Sequence, residues 1–267
     1  MQLWKFILAY DGTHFHGWQV QPSLPTIQGT LAAAIRQITG ETILPQGSGR
    51  TDAGVHALGQ VASCELACPI PPANLLRALN RALPPAIRVL SAEHAAPGFH
   101  ARHSAVRKTY KYRIFPRVPT VRSEPDRICP PELAPYCWDC PWHFDLDLAK
   151  LAADQILGEH DFTSFAAVDP DLTARLANQP NSAVRSIFSS RWQFESDRYI
   201  YSVTGSGFLH HMVRNLVGTF VDAAAGRIPP DSISQILTKK DRAAAGQTAP
   251  ASGLFLVSVE YPEQGPQ

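Results

Sequence analysis

Residues 47 to 60 read Gly47-Ser48-Gly49-Arg50-Thr51-Asp52-Ala53-Gly54-Val55-His56-Ala57-Leu58-Gly59-Gln60, four glycines among one carboxylate, one guanidinium and one imidazole. An interior glycine costs a helix about 1 kcal/mol relative to alanine, so this stretch reads as a tight loop that presents polar side chains. Asp52 is its only acid, and Arg50 stands two residues before it. Three chemistries compete for it. A phosphate cradle would need Gly-Lys-Ser/Thr or Gly-x-Gly-x-x-Gly, neither of which is present, and an aspartate would repel phosphate. A tight turn with a capping Asp is the purely structural reading. The third is a nucleophilic or acid/base carboxylate, which a cation within about 4–6 Å keeps ionised. We favour the third, with Asp52 as a catalytic nucleophile, and the structural turn remains open beside it.

Other chemistry-bearing residues give weaker patterns. Cys129, Cys137, Cys140 and His143 contain one C-x2-C and a nearby His, but no second C-x2-C follows, so buried free thiols are favoured over structural zinc. His210 and His211, read as neighbours on a helix, point about 100° apart and cannot form the i, i+4 pair of helical zinc sites. No metal site is expected. Between His100 and Arg127 lie Arg102, Arg107, Lys108, Lys111, Arg113, Arg117, Arg122 and Arg127 against Glu124 and Asp126, a local net charge of +6 that leaves −5 for the rest of a +1 chain. Arginine outnumbers lysine 18 to 6, and its planar fork suits phosphate. Tyr110, Tyr112 and Phe115 interleave with these cations, as a surface that stacks bases and tracks phosphates would require.

The elements that must position these residues alternate. Leu3 to Tyr10 reads as a strand, Asp11-Gly12-Thr13 as a turn and Gln21 to Pro25 as a loop. Thr26 caps a helix to about Ile38, with Ile27, Leu31, Ala34, Ile35 and Ile38 on one face and Gly40 at its end. Thr42 to Pro45 looks strand-like, and Val61 to Leu66 leaves the glycine-rich loop as a strand. Pro71-Pro72 opens a helix with Leu75, Leu76, Leu79 and Leu83 inward, stopped by Pro84-Pro85. Ile87 to His94 and Val106 to Phe115 alternate as strands. Residues 116 to 144 hold seven prolines, three cysteines and two tryptophans, and read as a long insertion loop with room for a short helix. A helix is expected from Asp147 to about Gly158, an irregular polar stretch over 168–182, and antiparallel strands over Val184–Phe194 and Arg198–Thr204. Gly205-Ser206-Gly207 leads into the strongest helix, where Leu209, Met212, Val213, Leu216, Val217, Phe220, Val221 and Ala224 form a buried stripe closed by Gly226. Asp231 caps a short helix, and Leu254 to Tyr261 forms a last strand.

At 267 residues, with 45% hydrophobic and 18% charged residues, the chain has room for two ordinary domains and is too apolar to be disordered. No apolar run reaches the ~18 residues of a membrane span, so no membrane partner is expected. The N-terminus reads as a strand and not a signal peptide. Five cysteines without a regular framework fit a reducing cytoplasm.

Gly49-Arg50-Thr51-Asp52-Ala53-Gly54-Val55-His56-Ala57 resembles the catalytic motif of the tRNA pseudouridine synthase A family. Further matches follow in order: Tyr10-Asp11-Gly12-Thr13 with Gly17-Trp18-Gln19, Phe99-His100-Ala101-Arg102, Lys108-Thr109-Tyr110-Lys111-Tyr112, Gly205 to Asn215, and Gly253 to Val257. Only the segment 116–144 shows no family pattern. The resemblance implies an α+β pseudouridine synthase fold: two α/β domains, each a mainly antiparallel sheet packed with helices, with a central cleft. We place the domains at 1–105, carrying the Asp52 loop, and 106–267, carrying the insertion. It further implies isomerisation of uridine to pseudouridine at positions 38, 39 and 40 of the tRNA anticodon arm, no metal or organic cofactor, and a homodimer. Asp52 takes the place of the family nucleophile, and Arg50 that of its partner, which helps hold the flipped nucleotide. Tyr110 takes the place of the base-contacting tyrosine. Arg214 matches the arginine that approaches the aspartate from the second domain, and Leu254 a wall of the uridine pocket. A non-catalytic RNA-binding module is the alternative, although pure binding gains nothing from an acid among phosphates.

Overall fold

Trp4, Phe6, Leu8 and Tyr10 alternate with half-exposed neighbours, so β1 (Gln2–Tyr10) buries one face completely. A computed structural model describes residues 1–119, 125–167 and 183–262, and divides the chain into two compact units. The first is Met1–Lys108 with the C-terminal stretch from Phe255, and the second is Thr109–Leu254. The architecture is α+β, with ten strands and five α-helices among the described residues. None of those helices is long and apolar enough to cross a membrane. The polar stretch 168–182 and Arg122 and Glu124 of the basic segment lie outside the described residues.

In the first unit β1 pairs antiparallel with both β3 (His56–Leu66) and β4 (Ile87–His94), while β10 (Leu254–Glu260) runs parallel to the start of β3 through Phe255↔His56 and Leu256↔Ala57. β2 (Gln46–Gly47) pairs with the other end of β3 at Ser63 and Ala62. The buried face of β1 shares its core with Ile27, Leu31 and Ile35 of α1 (Ile27–Thr39) and Leu75 and Leu79 of α2 (Pro72–Ala82). Each such side chain contributes about 1.5–3 kcal/mol by leaving water. The Thr26 hydroxyl accepts from Gly29 N–H, a cap worth about 1 kcal/mol, and Gly40 ends α1 at φ 77°.

Two expectations change here. Thr42–Pro45 is irregular, because Pro45 has no N–H to donate and pairing begins only at Gln46. The strand after the glycine-rich loop begins at His56, five residues earlier than its alternation indicates. Gly59 lies inside it because a Cβ there would stand 2.4 Å from the Val257 carbonyl oxygen.

In the second unit the strand order is β5 (Arg107–Pro116), β9 (Arg198–Gly205), β8 (Val184–Glu195), β7 (Gly158–Asp161), with β6 (Trp138–Cys140) on the other edge of β5. Phe144, Trp192, Tyr199, Tyr201 and Phe220 form an aromatic core between this sheet and α3 (Leu146–Asp154) and α4 (Met212–Ala224). The described part of the insertion is more ordered than a loop. It holds a 3-10 turn, Ala134–Tyr136, and β6 runs parallel to β5. No group of three metal-ligating side chains forms in it among the described residues. α3 is capped by Asp145, which accepts from Asp147 and Leu148 N–H, and it ends at Asp154 rather than near Gly158; Gly158, at φ 92°, opens β7 instead. α4 starts only at Met212, because His211 is left-handed at φ 57°, so Leu209 lies outside the helix. The His210 and His211 rings consequently pack 4.0 Å apart, instead of diverging by 100°. Asp231 sits in a 3-10 turn, Pro230–Ser232, and α5 (Ile233–Lys239) follows without a side-chain cap.

At the end of β7, Asp161 accepts from Thr163 N–H (3.0 Å), Thr163 Oγ1–H (2.6 Å) and Lys240 Nζ (2.8 Å). The Lys240 hydrogen bond, then those of Thr163, lower its pKa from the ordinary 3.8 to about 2. A depressed carboxylate stabilises the fold above its unfolded pKa and loses that contribution as pH falls through the folded one. The stability gap between wild type and Asp161→Asn is therefore expected to be full at pH 6 and to close between about pH 4 and pH 2. Solvent screening keeps the gap below about 1 kcal/mol. Urea midpoints across this range measure it, and a gap independent of pH would contradict the assignment.

Candidate active site

The glycine-rich loop is held from beneath by one buried glutamine. Gln60 Nε2 donates to the Gly49 carbonyl (2.9 Å) and to Tyr10 Oη (3.4 Å), while its Oε1 accepts from Ser48 Oγ (2.6 Å) and Val61 N–H (3.2 Å). Both donors and both lone pairs are used, which a fully buried amide requires. Tyr10 Oη also exchanges a hydrogen bond with Thr51 Oγ1 at 2.9 Å. Burial pushes the Tyr10 phenol up to about 12, so it stays a neutral strut. Lys108 Nζ donates to the Ser48 carbonyl at 2.6 Å.

The loop is clasped from the side by the segment after β1. Trp18 N–H donates to Thr51 O (3.0 Å) and Gly54 N–H to Phe15 O (3.2 Å). Closeness demands glycine twice: a Cβ on Gly12 would stand 2.1 Å from Val55 O, and one on Gly17, at φ 83°, 2.5 Å from Thr51 O. His56 is 1% exposed and stacks on Phe255 at 4.6 Å. Its Nδ1 lies 3.1 Å from Gly12 N and 3.2 Å from Asp11 Oδ1. Neutral at that nitrogen, it accepts from Gly12; protonated, it donates to Asp11.

Asp52 heads the turn so formed. Its carbonyl accepts from Val55 N–H at 3.1 Å, and Gly54 takes the left-handed position at φ 77°. The Asp52 side chain is half-buried at the mouth of the loop, and Arg50, exposed beside it, donates through Nε to Gln19 Oε1 at 3.2 Å. The first unit thus brings Asp52 and Arg50 onto one loop and ties that loop to the Asp11-Gly12-Thr13 and Gly17-Trp18-Gln19 motifs.

Tyr110, Arg214 and Leu254 belong to the second unit. Tyr110 is 8% exposed on β5, with its ring edge-on to Phe208 at 5.1 Å. Arg214, in the first turn of α4, donates through Nε to Ala249 O (2.8 Å), and Ala249 N–H donates back to Arg214 O (3.1 Å). The next stretch is fastened by Tyr112, whose hydroxyl donates to Pro250 O at 2.7 Å and whose ring excludes a side chain from Gly253. Leu254 follows directly, 6% exposed. Asn215 forms the hub behind them. Its Oδ1 accepts from Arg242 Nη2 (3.0 Å) and Thr248 Oγ1 (2.7 Å), and its Nδ2 donates to Phe165 O (2.8 Å). Gln60, Tyr10, Asn215 and Tyr112 were not singled out by the sequence for these supporting roles. The usable signal was a polar side chain at a position whose periodicity demands burial.

The family model described as tRNA pseudouridine synthase matches residues 7–104 and 152–262. Relatives named tRNA pseudouridine synthase A cover nearly the whole length. That of Solibacter usitatus is 49% identical over 96% of this chain and 98% of its own. That of Maridesulfovibrio salexigens is 42% identical over 99% and 92%, and that of Caldicellulosiruptor saccharolyticus 39% identical over 95% and 97%. Matches of this extent place the chain among the pseudouridine-forming isomerases. It belongs to the tRNA pseudouridine synthase family. The segments matched by the family model leave out 105–151, which contain Tyr110 and the insertion.

Proposed function

We propose that this protein isomerises uridine to pseudouridine at positions 38, 39 and 40 of the tRNA anticodon arm, with Asp52 as nucleophile. The observation that carries the reading is the braced turn of the first unit. A glycine-rich loop is anchored by Gln60, Tyr10 and Trp18 while its one carboxylate stays half-buried at the mouth. Such support suits a carboxylate that must hold its aim on a reacting carbon.

The reaction breaks the C1′–N1 bond, turns the uracil, joins C1′ to C5, and moves the C5 proton away while N1 gains one. No electrons are gained or lost. A carboxylate that attacks or stabilises the sugar while the base is detached, and a group that removes the C5 proton, are the protein's contribution. The target base must first leave its stack at a cost of a few kcal/mol. Arg50 fills the vacated space or binds phosphate, Tyr110 stacks on the base and serves in proton removal, Arg214 approaches the carboxylate, and Leu254 walls the pocket. The protein works as a homodimer in the cytoplasm.

The test is release of tritium from tRNA labelled at uridine C5, with pseudouridine mapped by mass spectrometry in tRNA from a strain lacking the protein. Product at 38, 39 and 40 that returns with the protein is the expected result. Absence of release from unmodified tRNA, or product only at other positions, would overturn the reading.

A further inference from the structure

The insertion contains two thiols in contact, which the isomerisation does not use. Cys129 is half-exposed, Cys137 is 2% exposed, and their sulfurs lie 3.6 Å apart. The intervening chain is already folded back. Leu133 and Ala134 N–H both donate to Pro130 O (2.9 and 3.0 Å), Tyr136 N–H donates to Leu133 O (2.8 Å), and Cys137 Sγ–H points at Leu133 O (3.2 Å). Pro130, Pro131 and Pro135 fix their own φ angles within this turn. Ring closure therefore orders almost nothing that is not ordered already, and asks the two sulfurs to approach by only about 1.5 Å. Cys140 turns its thiol to Trp142 O instead.

We propose that Cys129 and Cys137 are a thiol–disulfide exchange site that closes reversibly into an intramolecular disulfide when it meets a small disulfide oxidant. Cys129 takes the first step, being the one that solvent reaches. Its thiolate attacks one sulfur of the oxidant, expelling one thiolate and leaving a mixed disulfide. The Cys137 sulfur then attacks the Cys129 sulfur and expels the second. The protein loses two electrons and two protons, and the oxidant leaves as two thiols. Burial raises the pKa of both thiols, which slows exchange, and the thiol–disulfide poise of the compartment sets whether the pair rests reduced.

Closure would brace ground close to the proposed substrate-contacting residues. The Cys137 carbonyl accepts from Ser252 Oγ at 3.1 Å, two residues before Leu254, and the chain enters β6 beside β5 at the next residue. A crosslink at Cys137 pins both the edge of the strand that bears Tyr110 and the turn that precedes Leu254.

The experiment incubates the full-length protein with oxidised glutathione, quenches in acid, counts thiols after denaturation and maps peptides by mass spectrometry. The expected result is a fall from five free thiols to three, a Cys129–Cys137 link, full reversal by dithiothreitol, and no internal link in Cys129→Ser. Five remaining thiols, glutathione adducts without an internal link, or a link through Cys64, Cys68 or Cys140 would overturn the proposal. Thermal unfolding tests the bracing separately. The oxidised wild type should melt above the reduced one, with no such difference in Cys129→Ser, and an oxidised form that melts no higher removes the bracing role. Neither readout depends on the isomerase activity.

Discussion

The Asp52→Asn protein is expected to bind unmodified tRNA as the wild type does and to release tritium from C5-labelled uridine at least about 10⁴-fold more slowly, the scale of loss when a nucleophile is removed. Asparagine keeps the shape of the side chain and removes its charge. The backbone supports of the turn, from Val55 N–H to Asp52 O, Trp18 N–H to Thr51 O and Gly54 N–H to Phe15 O, do not involve the carboxylate. The substitution therefore separates the two readings of this residue. A capping aspartate would leave turnover intact and lower stability, while a nucleophile leaves stability intact and abolishes turnover. Single-turnover kinetics alongside urea denaturation distinguishes them, and turnover within about tenfold of wild type would remove Asp52 from the role.

The second large effect concerns a glycine inside α4, one turn after Arg214. Gly218→Ala is expected to destabilise the protein by at least about 3 kcal/mol, at the upper end of overpacking costs. Its Cβ would fall 1.7 Å from the Gln247 carbonyl oxygen, and the obstacle is backbone that no rotamer change can move. α4 would have to draw away from 246–249. That movement strains the Asn215, Arg242 and Thr248 hydrogen bonds and the pair between Arg214 and Ala249. Each buried group left unmatched adds about 1–3 kcal/mol. A shift of the urea midpoint at unchanged m-value measures the loss. A cost below about 1 kcal/mol would show that the helix and the loop are not packed as described.

The long periodic elements were legible because burial and local preference agree in them. β1, α1, α2 and the β8–β9 hairpin fall within a residue or two of their sequence patterns. The start of β3 was hidden by Gly59, whose reason for being there is Val257, distant in sequence. The start of α4 was misplaced because the apolar stripe extends back to Leu209, whereas the left-handed backbone at His211 forbids the helix from doing so. β6 and β7 are three and four residues long, too short for periodicity to register, and they exist through pairing with β5 and β8. In the candidate site, the glycine spacing and the single acid marked the loop itself. What holds the loop was illegible, because a strand glutamine such as Gln60 carries no mark of the four hydrogen bonds it will make. The contact of Cys129 with Cys137 was equally hidden, since their spacing matches no familiar pairing and a proline-rich turn creates it.

The first unit is sewn together from two stretches, Met1–Lys108 and the one from Phe255, separated by the whole of the second unit, and this fixes an order of events during synthesis. Thr109–Leu254 is one uninterrupted length and can fold as soon as it has left the ribosome. The first unit cannot finish at that moment, although its first 108 residues were made earlier, because β3 still lacks the strand that lies along His56 and Ala57. Until Phe255 and Val257 arrive, His56 has no ring to stack on and Gly59 faces empty space where a backbone belongs. The loop that carries Asp52 is thus completed by residues translated long after it. A chain stopped before Phe255 would carry a slack Asp52 loop.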